Sequence, residues 1–327
     1  LGRILVTGGA GYVGAHACKA LSRAGHTPIT FDNYSTGWRD AVRFGPAEEG
    51  DLMDRARLDE VFAAHAPDAV MHFAALSQVG ESVREPGRYW LENVTGAVNL
   101  AEAAVAAGCG RFIFSSTCAT YGDQDGVVLD EETAQRPENP YGASKRAIEE
   151  ILRDFEAAHG LRHVIFRYFN VAGADPEGEV GEQHEPETHL IPLMLDAIDG
   201  RRDALTVFGT DYDTPDGTCI RDYVHVCDLA DAHVLGYEWL DRGGQSRAFN
   251  LGTGHGYSVR EVIEHSRRVT NRSVPVVEGE RRAGDAVRLV SGSERAKAEL
   301  GWTPARSSLD RMIEDAWHWH QTGRFER

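Results

Sequence analysis

The sequence is poor in cysteine, has no long apolar run and carries fewer basic than acidic residues. Its five cysteines, at 18, 109, 118, 219 and 227, form no CxxC pair and no tight cluster. A disulfide framework and a thiolate metal site are therefore not expected, and the thiols read as structural ones in a reducing cytoplasm. No stretch approaches the ~20 apolar residues of a membrane span. The chain opens in a strand-like segment at Leu1 without a basic-then-apolar leader, which suits a soluble cytoplasmic protein. Lysine and arginine total 34 against 51 aspartate and glutamate, a formal charge of −17 that makes nucleic acid and anionic membrane surfaces poor partners. The 35 glycines and 12 prolines are near average usage, so a collagen-like or disordered chain is excluded. What remains is a 327-residue chain with 42% hydrophobic residues, long enough for about two domains.

The first half alternates short apolar runs with longer helical patterns. The runs are Arg3 to Val6, Pro28 to Phe31, Ala69 to Phe73, Arg111 to Phe114 and His163 to Phe166. Candidate helices lie between them, at Tyr12 to Gly25, Arg55 to His65, Trp90 to Gly108 and Tyr141 to His159. Buried parallel strands with crossover helices follow, in an α/β doubly wound sheet of Rossmann type. After Asn170 the texture changes. Val171 to Thr188 reads as an ordered loop, followed by a helix around Leu190 to Asp199, a strand at Leu205 to Phe208 and a helix at Ser258 to Thr270. The expected division is a dinucleotide-binding domain at 1–170 and a smaller mixed α/β substrate domain at 171–327, with a segment near 223–240 returning to the sheet.

The opening ILVTGGAGYVGAH sets Gly8, Gly11 and Gly14 after a strand and at the start of a helix. Glycine allows the tight turn at the first position, close approach of a pyrophosphate at the second and helix–strand packing at the third. Free N–H groups and the helix dipole then favour phosphate. The next run ends in Asp32-Asn33, where a carboxylate would accept from ribose hydroxyls and repel a 2′-phosphate, which favours NAD over NADP.

Further on, Asn139-Pro140-Tyr141-Gly-Ala-Ser-Lys145 begins a helix, with Asn139 as cap and Pro140 in the first turn. Tyr141 and Lys145 are four apart and share one helix face. A cation beside a phenol typically lowers its pKa, ordinarily ~10, by ~1–3 units, and an oxidised nicotinamide would add a second positive charge. Tyr141 is thus expected to serve as a base near neutrality. The apolar strand from Arg111 ends in Ser115-Ser116-Thr117, hydroxyls at the carboxyl end of a parallel strand, where ligands bind in this architecture.

Together with FAALSQVGESV (73–83), ENVTGAVNL (92–100), FSSTCATYGD (114–123), RYFNVAGA (167–174), GTCIRDYVHVCDLA (217–230), FNLGTG (249–254) and RRAGD (281–285), these motifs resemble the extended short-chain dehydrogenases, and among them the UDP-glucose 4-epimerases. The resemblance runs nearly end to end. It implies a UDP-hexose epimerised at C4 by way of a transient 4-keto sugar on tightly held NAD, with Tyr141 taking the 4-hydroxyl proton, Thr117 bonding that oxygen and Lys145 orienting the ribose. It assigns Tyr12, Val13, Asp51, Leu52, Phe73, Ala74, Ala75, Asn93, Ser115 and Tyr168 to the cofactor as well. Asn170, His189 and Leu190 would hold the sugar nucleotide, Arg221 and Arg282 its diphosphate, and Asp285 the uridine ribose. A homodimer is implied, through the helices at 90–108 and 141–159.

Three positions depart from the family pattern. Ser77 stands where well-known members carry lysine, His189 where asparagine is common, and Leu289 where members selective for unacetylated hexoses carry tyrosine. The last bears on a gate that could admit an N-acetyl group. Epimerisation of a UDP-N-acetylhexosamine, of UDP-xylose or UDP-arabinose, or of UDP-glucuronate is the nearest rival. A sugar-nucleotide dehydratase would need an acid pair after the threonine, where this chain has Cys118-Ala119. A non-catalytic NAD-binding regulator would have no need of Tyr141 and Lys145. No metal is expected: His318-Trp-His320, the densest histidine pair, reads as one face of an amphipathic helix.

Overall fold

The computed structural model describes residues 1–124, 127–282 and 286–326. Its first half builds six parallel strands, β1 (Arg3–Thr7), β2 (Thr27–Asp32), β3 (Ala47–Glu49), β4 (Ala69–His72), β5 (Arg111–Thr117) and β6 (Arg162–Tyr168), in the order β6-β5-β4-β1-β2-β3. The connecting helices are α1 (Tyr12–Arg23), α2 (Arg55–His65), α3 (Val79–Arg84), α4 (Pro86–Tyr89), α5 (Gly96–Ala106) and α6 (Pro140–His159). Strand order reverses between β1 and β4, which makes the carboxyl ends of these two strands the edge of a natural ligand crevice.

Strand period explains why both faces are dry. On β1, Ile4 and Val6 face Ala17 and Leu21 of α1, while Leu5 faces Leu58 and Val61 of α2, Leu100 of α5, and Ile148 and Leu152 of α6. All are essentially buried. At ~1.5–3 kcal/mol for each large aliphatic side chain removed from water, this two-sided packing is the main force holding the layer. Helix α6 begins as its sequence suggests: Asn139 Oδ1 accepts from the Gly142 N–H at 2.9 Å, Pro140 occupies the first turn, and Gly160 closes it in the left-handed conformation.

The expected helix at 90–108 is interrupted. Trp90–Thr95 forms a wide π-type turn before α5 begins at Gly96. The cause is Asn93, which turns inward to accept from the Leu76 N–H at 2.8 Å and to donate to the Leu76 carbonyl and the Ser144 hydroxyl. Strand β3, with its polar sequence Ala-Glu-Glu, had no counterpart in the apolar pattern.

The second half makes a smaller layer. Strands β7 (Asn170–Ala172) and β8 (Leu205–Phe208), helix α7 (Leu190–Ile198) and strand β9 (Ile220–His225) come first. Helix α8 (Val226–Asp241) then leaves this layer and packs against α1 and behind β5 and β6, where Gly236 leaves room for the Phe166 ring. Strand β10 (Arg247–Leu251) follows it and pairs in parallel with β6, as the seventh strand of the large sheet. The remaining elements are β11 (Gly256–Ser258), α9 (Val259–Thr270), β12 (Val276–Gly279), β13 (Arg288–Leu289) and α10 (Leu309–Thr322). Strands β7, β11 and β13 gather around β9, β8 pairs with β12, and α7, α9 and α10 share a core of Ile191, Met194, Leu195, Val262, Ile263, Met312 and Ile313.

Candidate active site

The glycine turn sits at the crevice. Gly8 adopts φ +71°, and a Cβ there would lie 2.6 Å from the Ala74 nitrogen. A Cβ on Gly14 would lie 2.1 Å from the Gly8 carbonyl. The turn is therefore pressed against the end of β4, and the Phe73 and Ala74 N–H groups both donate to the Thr7 carbonyl. At Gly11 a side chain would meet nothing closer than the Gly8 carbonyl at 3.3 Å, and no side chain caps α1 there. The first-turn amides of Tyr12, Val13 and Gly14 thus lack a capping side chain, the arrangement that receives phosphate. The Tyr12 ring turns away, its hydroxyl donating to the Gly173 carbonyl at 2.6 Å.

Asp32 is buried at the end of β2, accepting from the Ala10 N–H at 3.0 Å and the Tyr34 N–H at 2.8 Å. Burial raises its pKa, and these two donors oppose that. The carboxylate therefore braces the turn. Asn33 donates to Asp51 at 2.8 Å, joining two residues read from distant motifs, and the Leu52 carbonyl accepts from Asn99. Both amide ends of Asn93 make hydrogen bonds within the protein, which fixes the side chain beside the crevice. Ala75 is exposed just beyond the turn.

The catalytic candidates converge where β5 ends. Lys145 Nζ donates to the Ser115 carbonyl at 2.8 Å and lies 4.9 Å from the Phe114 ring centre. Ser115 and Tyr168 hydroxyls are bonded to each other, and Thr117 Oγ1 accepts from the Ala119 N–H at 3.1 Å. Burial pushes the Tyr141 phenol up to about 12, while the Thr117 hydroxyl beside it acts in the opposite direction. Burial drives Lys145 down to about 7, opposed by the Glu149 charge. Among the protein's own groups, burial thus outweighs the depression expected for the Tyr141 pKa. Both side chains lose water, and a lysine with a pKa near 7 holds only part of its charge at neutrality.

Beneath this pair lies a network that motif reading missed. Glu149, fully buried one turn after Lys145, accepts from Ser116 Oγ at 2.6 Å and from Arg167 at 3.0 and 2.5 Å. Arg167 also donates to Tyr121 Oη at 2.8 Å, which donates to Asn250 of β10 at 2.7 Å. The signal available was Glu149 four residues after Lys145 on one helix face, with an arginine inside the apolar run of β6.

On the other layer, strand register gathers three of the substrate candidates. Leu289 pairs with Arg221, and Asn170 with Tyr223 two residues further along β9. Paired residues share a face and so do positions two apart, so Asn170, Arg221 and Leu289 face one side. His189 stands at the N-cap position of α7 without a side-chain capping bond, and Leu190 starts the helix. His189 Nδ1 lies 2.9 Å from Glu187 and 3.0 Å from Glu182. Arg282 stacks its guanidinium 3.9 Å from the centre of the Phe208 ring. Asp285 lies outside the described residues, and Ser77 sits exposed before α3.

A parallel sheet with a glycine turn at its switch point, and a buried tyrosine and lysine four apart at the neighbouring strand end, defines a dinucleotide-binding α/β protein of the short-chain dehydrogenase type. Residues 4–252 match the NAD dependent epimerase/dehydratase family, and the chain belongs to it. It is 54% identical over 317 residues to the UDP-glucose 4-epimerase of Rhizobium leguminosarum bv. trifolii, covering 97% of both chains. Among solved structures it superposes on UDP-glucose 4-epimerase from Brucella ovis in complex with NAD, at a TM-score of 0.95 and 49% identity over 98% of both chains. The enzyme from Bifidobacterium longum in complex with NAD+ and UDP gives a TM-score of 0.92 at 35% identity, again over 98% of each.

Proposed function

We propose that this chain interconverts UDP-galactose and UDP-glucose by epimerisation at C4, as an isomerase with tightly bound NAD. The observation that carries the reading is the convergence of Tyr141, Thr117 and Lys145 at the end of β5, beside an uncapped helix start that suits a pyrophosphate. NAD, when bound, supplies a reversible hydride acceptor for C4. Every other task falls to this chain. Tyr141 Oη takes the 4-hydroxyl proton and returns it to the same oxygen after the sugar has presented its other face. Thr117 holds that oxygen by a hydrogen bond. Lys145, anchored on the Ser115 carbonyl, orients the ribose, and its positive charge favours the phenolate. An oxidised nicotinamide bound beside Tyr141 would add cationic charge that favours the phenolate further.

Gly8, Gly11, Gly14, Asp32, Asn33 and Asp51 form the cofactor side of this reading. Asn170, His189, Leu190, Arg221, Arg282, Asp285 and Leu289 form the sugar-nucleotide side, with arginine suited to diphosphate by its planar fork. The cofactor unit is 1–170 and the sugar unit 171–327, with 226–251 returned to the first. Epimerisation of UDP-N-acetylhexosamines is the second reading, favoured by the half-buried Leu289 at the gate position. We place the enzyme in the cytoplasm as a homodimer. Exposed Val83, Trp90 and Leu91, at 62%, 44% and 56%, supply an apolar patch beside α5 and α6 that a second copy would cover.

Purified protein incubated with UDP-galactose and no added NAD should yield UDP-glucose, and Tyr141→Phe should lower turnover by ~10²–10⁴-fold. Failure to convert any UDP-hexose would overturn the reading. Sedimentation as a monomer at micromolar concentration would overturn the dimer.

A further inference from the structure

Two clusters of potential metal ligands stand out among the described residues, and they differ in one respect. Asp175, Glu177 and Glu179 already surround a cation, because Lys19 Nζ reaches all three, at 2.6 Å from Asp175 and 2.8 Å from Glu177. The second cluster, Glu182, His184, Glu187 and His189, comes from one eight-residue stretch with the spacing E-x-H-x-x-E-x-H. Among the described residues, no lysine or arginine forms an ion pair with it.

Its geometry is that of a ligand set. One donor atom from each residue lies within 4.8 Å of every other. Glu182 Oε1 is 3.3 Å from His184 Nδ1 and 3.0 Å from His189 Nδ1. Glu187 Oε2 is 3.4 Å from His184 Nδ1, and Glu187 Oε1 is 2.9 Å from His189 Nδ1. Four donors placed ~2.0–2.1 Å from a tetrahedral zinc ion stand about 3.3 Å apart, close to the 3.0, 3.3 and 3.4 Å edges that Glu182 Oε1 and Glu187 Oε2 make with the two imidazoles.

A second observation concerns satisfaction. The Glu182 side chain is only 8% exposed, and its Oε1, aimed into the cluster, makes no hydrogen bond of good geometry; nor does His184 Nδ1. Buried polar atoms that face charged neighbours without a well-formed hydrogen bond are uncommon and costly. Glu187 Oε1, which lies 2.9 Å from His189 Nδ1, accepts the Thr188 and His189 N–H groups at 2.7 and 2.8 Å, and these outer bonds fix the carboxylate so that Oε2 is the oxygen turned to His184. Two carboxylates and two neutral imidazoles balance a divalent cation in charge. Mixed nitrogen and oxygen donors in tetrahedral array select zinc over magnesium or calcium.

We propose that Glu182, His184, Glu187 and His189 form a structural zinc site, which closes the loop between the two layers and fixes His189 at the start of α7. The test uses untagged full-length protein treated with EDTA, dialysed and titrated with ZnCl2, with bound metal measured by mass spectrometry. The site predicts one zinc per chain and a rise in melting temperature on loading. Affinity should fall at least about tenfold in both His184→Ala and Glu187→Gln, with far-ultraviolet circular dichroism confirming that each variant is folded. No stoichiometric uptake by the intact protein would overturn the proposal. So would equal uptake by intact protein and both variants, which would assign the metal to thiols or surface groups.

Discussion

The chain has three lysines, and it buries two of them in opposite surroundings. Lys19, on the outer side of α1, is ringed by Asp175, Glu177 and Glu179. Desolvation there would lower its pKa, but the carboxylates outweigh it and hold the group above its ordinary value. Lys145, on α6, faces a carbonyl oxygen and an aromatic ring, with Glu149 one turn away already paired to Arg167. Burial dominates, and its pKa falls to about 7. The difference separates a clip from a working group. A buried cation with complete counter-charge resists change, whereas one left short of counter-charge responds to what enters the site.

The widest gap should appear in turnover. Lys145→Met should reduce epimerisation at least about 10²-fold, by removing an electrostatic contact to the reacting site. Lys19→Met should leave turnover within a few-fold while lowering the melting temperature. A folded Lys19→Met enzyme as inactive as Lys145→Met would break the comparison.

Stability should respond most at the paired carboxylate. Glu149→Gln leaves Arg167 buried without its counter-ion, a change worth ~3–5 kcal/mol in denaturant unfolding. A loss below 1 kcal/mol would mean that water reaches Arg167.

The two lysines should also differ in pH dependence in cofactor-stripped protein. Lys145 has a folded pKa below its unfolded value of ~10.4, so the unfolded chain binds more protons between pH 7 and 10 and stability rises across that window. Lys19 has a raised folded pKa, so its contribution is fully present below ~10.4 and is lost only as pH climbs through the folded value. Urea midpoints at pH 7 and 9.5 should therefore diverge between intact protein and Lys145→Met, and keep a constant offset for Lys19→Met. Parallel behaviour would remove the electrostatic distinction.

The smallest effect concerns specificity. Leu289→Tyr should cut the relative use of UDP-N-acetylgalactosamine by about tenfold and change UDP-galactose turnover only a few-fold, read from product ratios in a substrate panel. An unchanged ratio would remove Leu289 from the gate.

Much of the dinucleotide layer was legible because its signals are local. The apolar runs of β1, β2, β4, β5 and β6, the glycine turn and the Asn139 cap each lie within a few residues. Strands β3 and β10 were not, since Ala-Glu-Glu and Arg-Ala-Phe-Asn-Leu gain strand form from a partner distant in sequence. The bend at Asn93 depends on Leu76 and Ser144, and the Glu149–Arg167 pair on the approach of α6 to β6. Motif spacing located Tyr141 and Lys145, while the burial that shifts both groups became visible only in the fold. Four-residue spacing implies a neighbouring charge and carries no information on how much water either group loses.

The position of β10 carries a consequence for synthesis. Its partner β6 ends at Tyr168, and β10 does not finish until Leu251, with α8 laid against α1 in between. A ribosome emitting the chain from its amino end therefore delivers about 250 residues before the first sheet closes. Until then the β6 edge and the outer face of α1 stand open, at the mercy of foreign strands and of aggregation. A fragment ending at Asn170 would inherit that exposure permanently. The cofactor sheet, first to begin translation, is completed only after about three-quarters of the chain has been made.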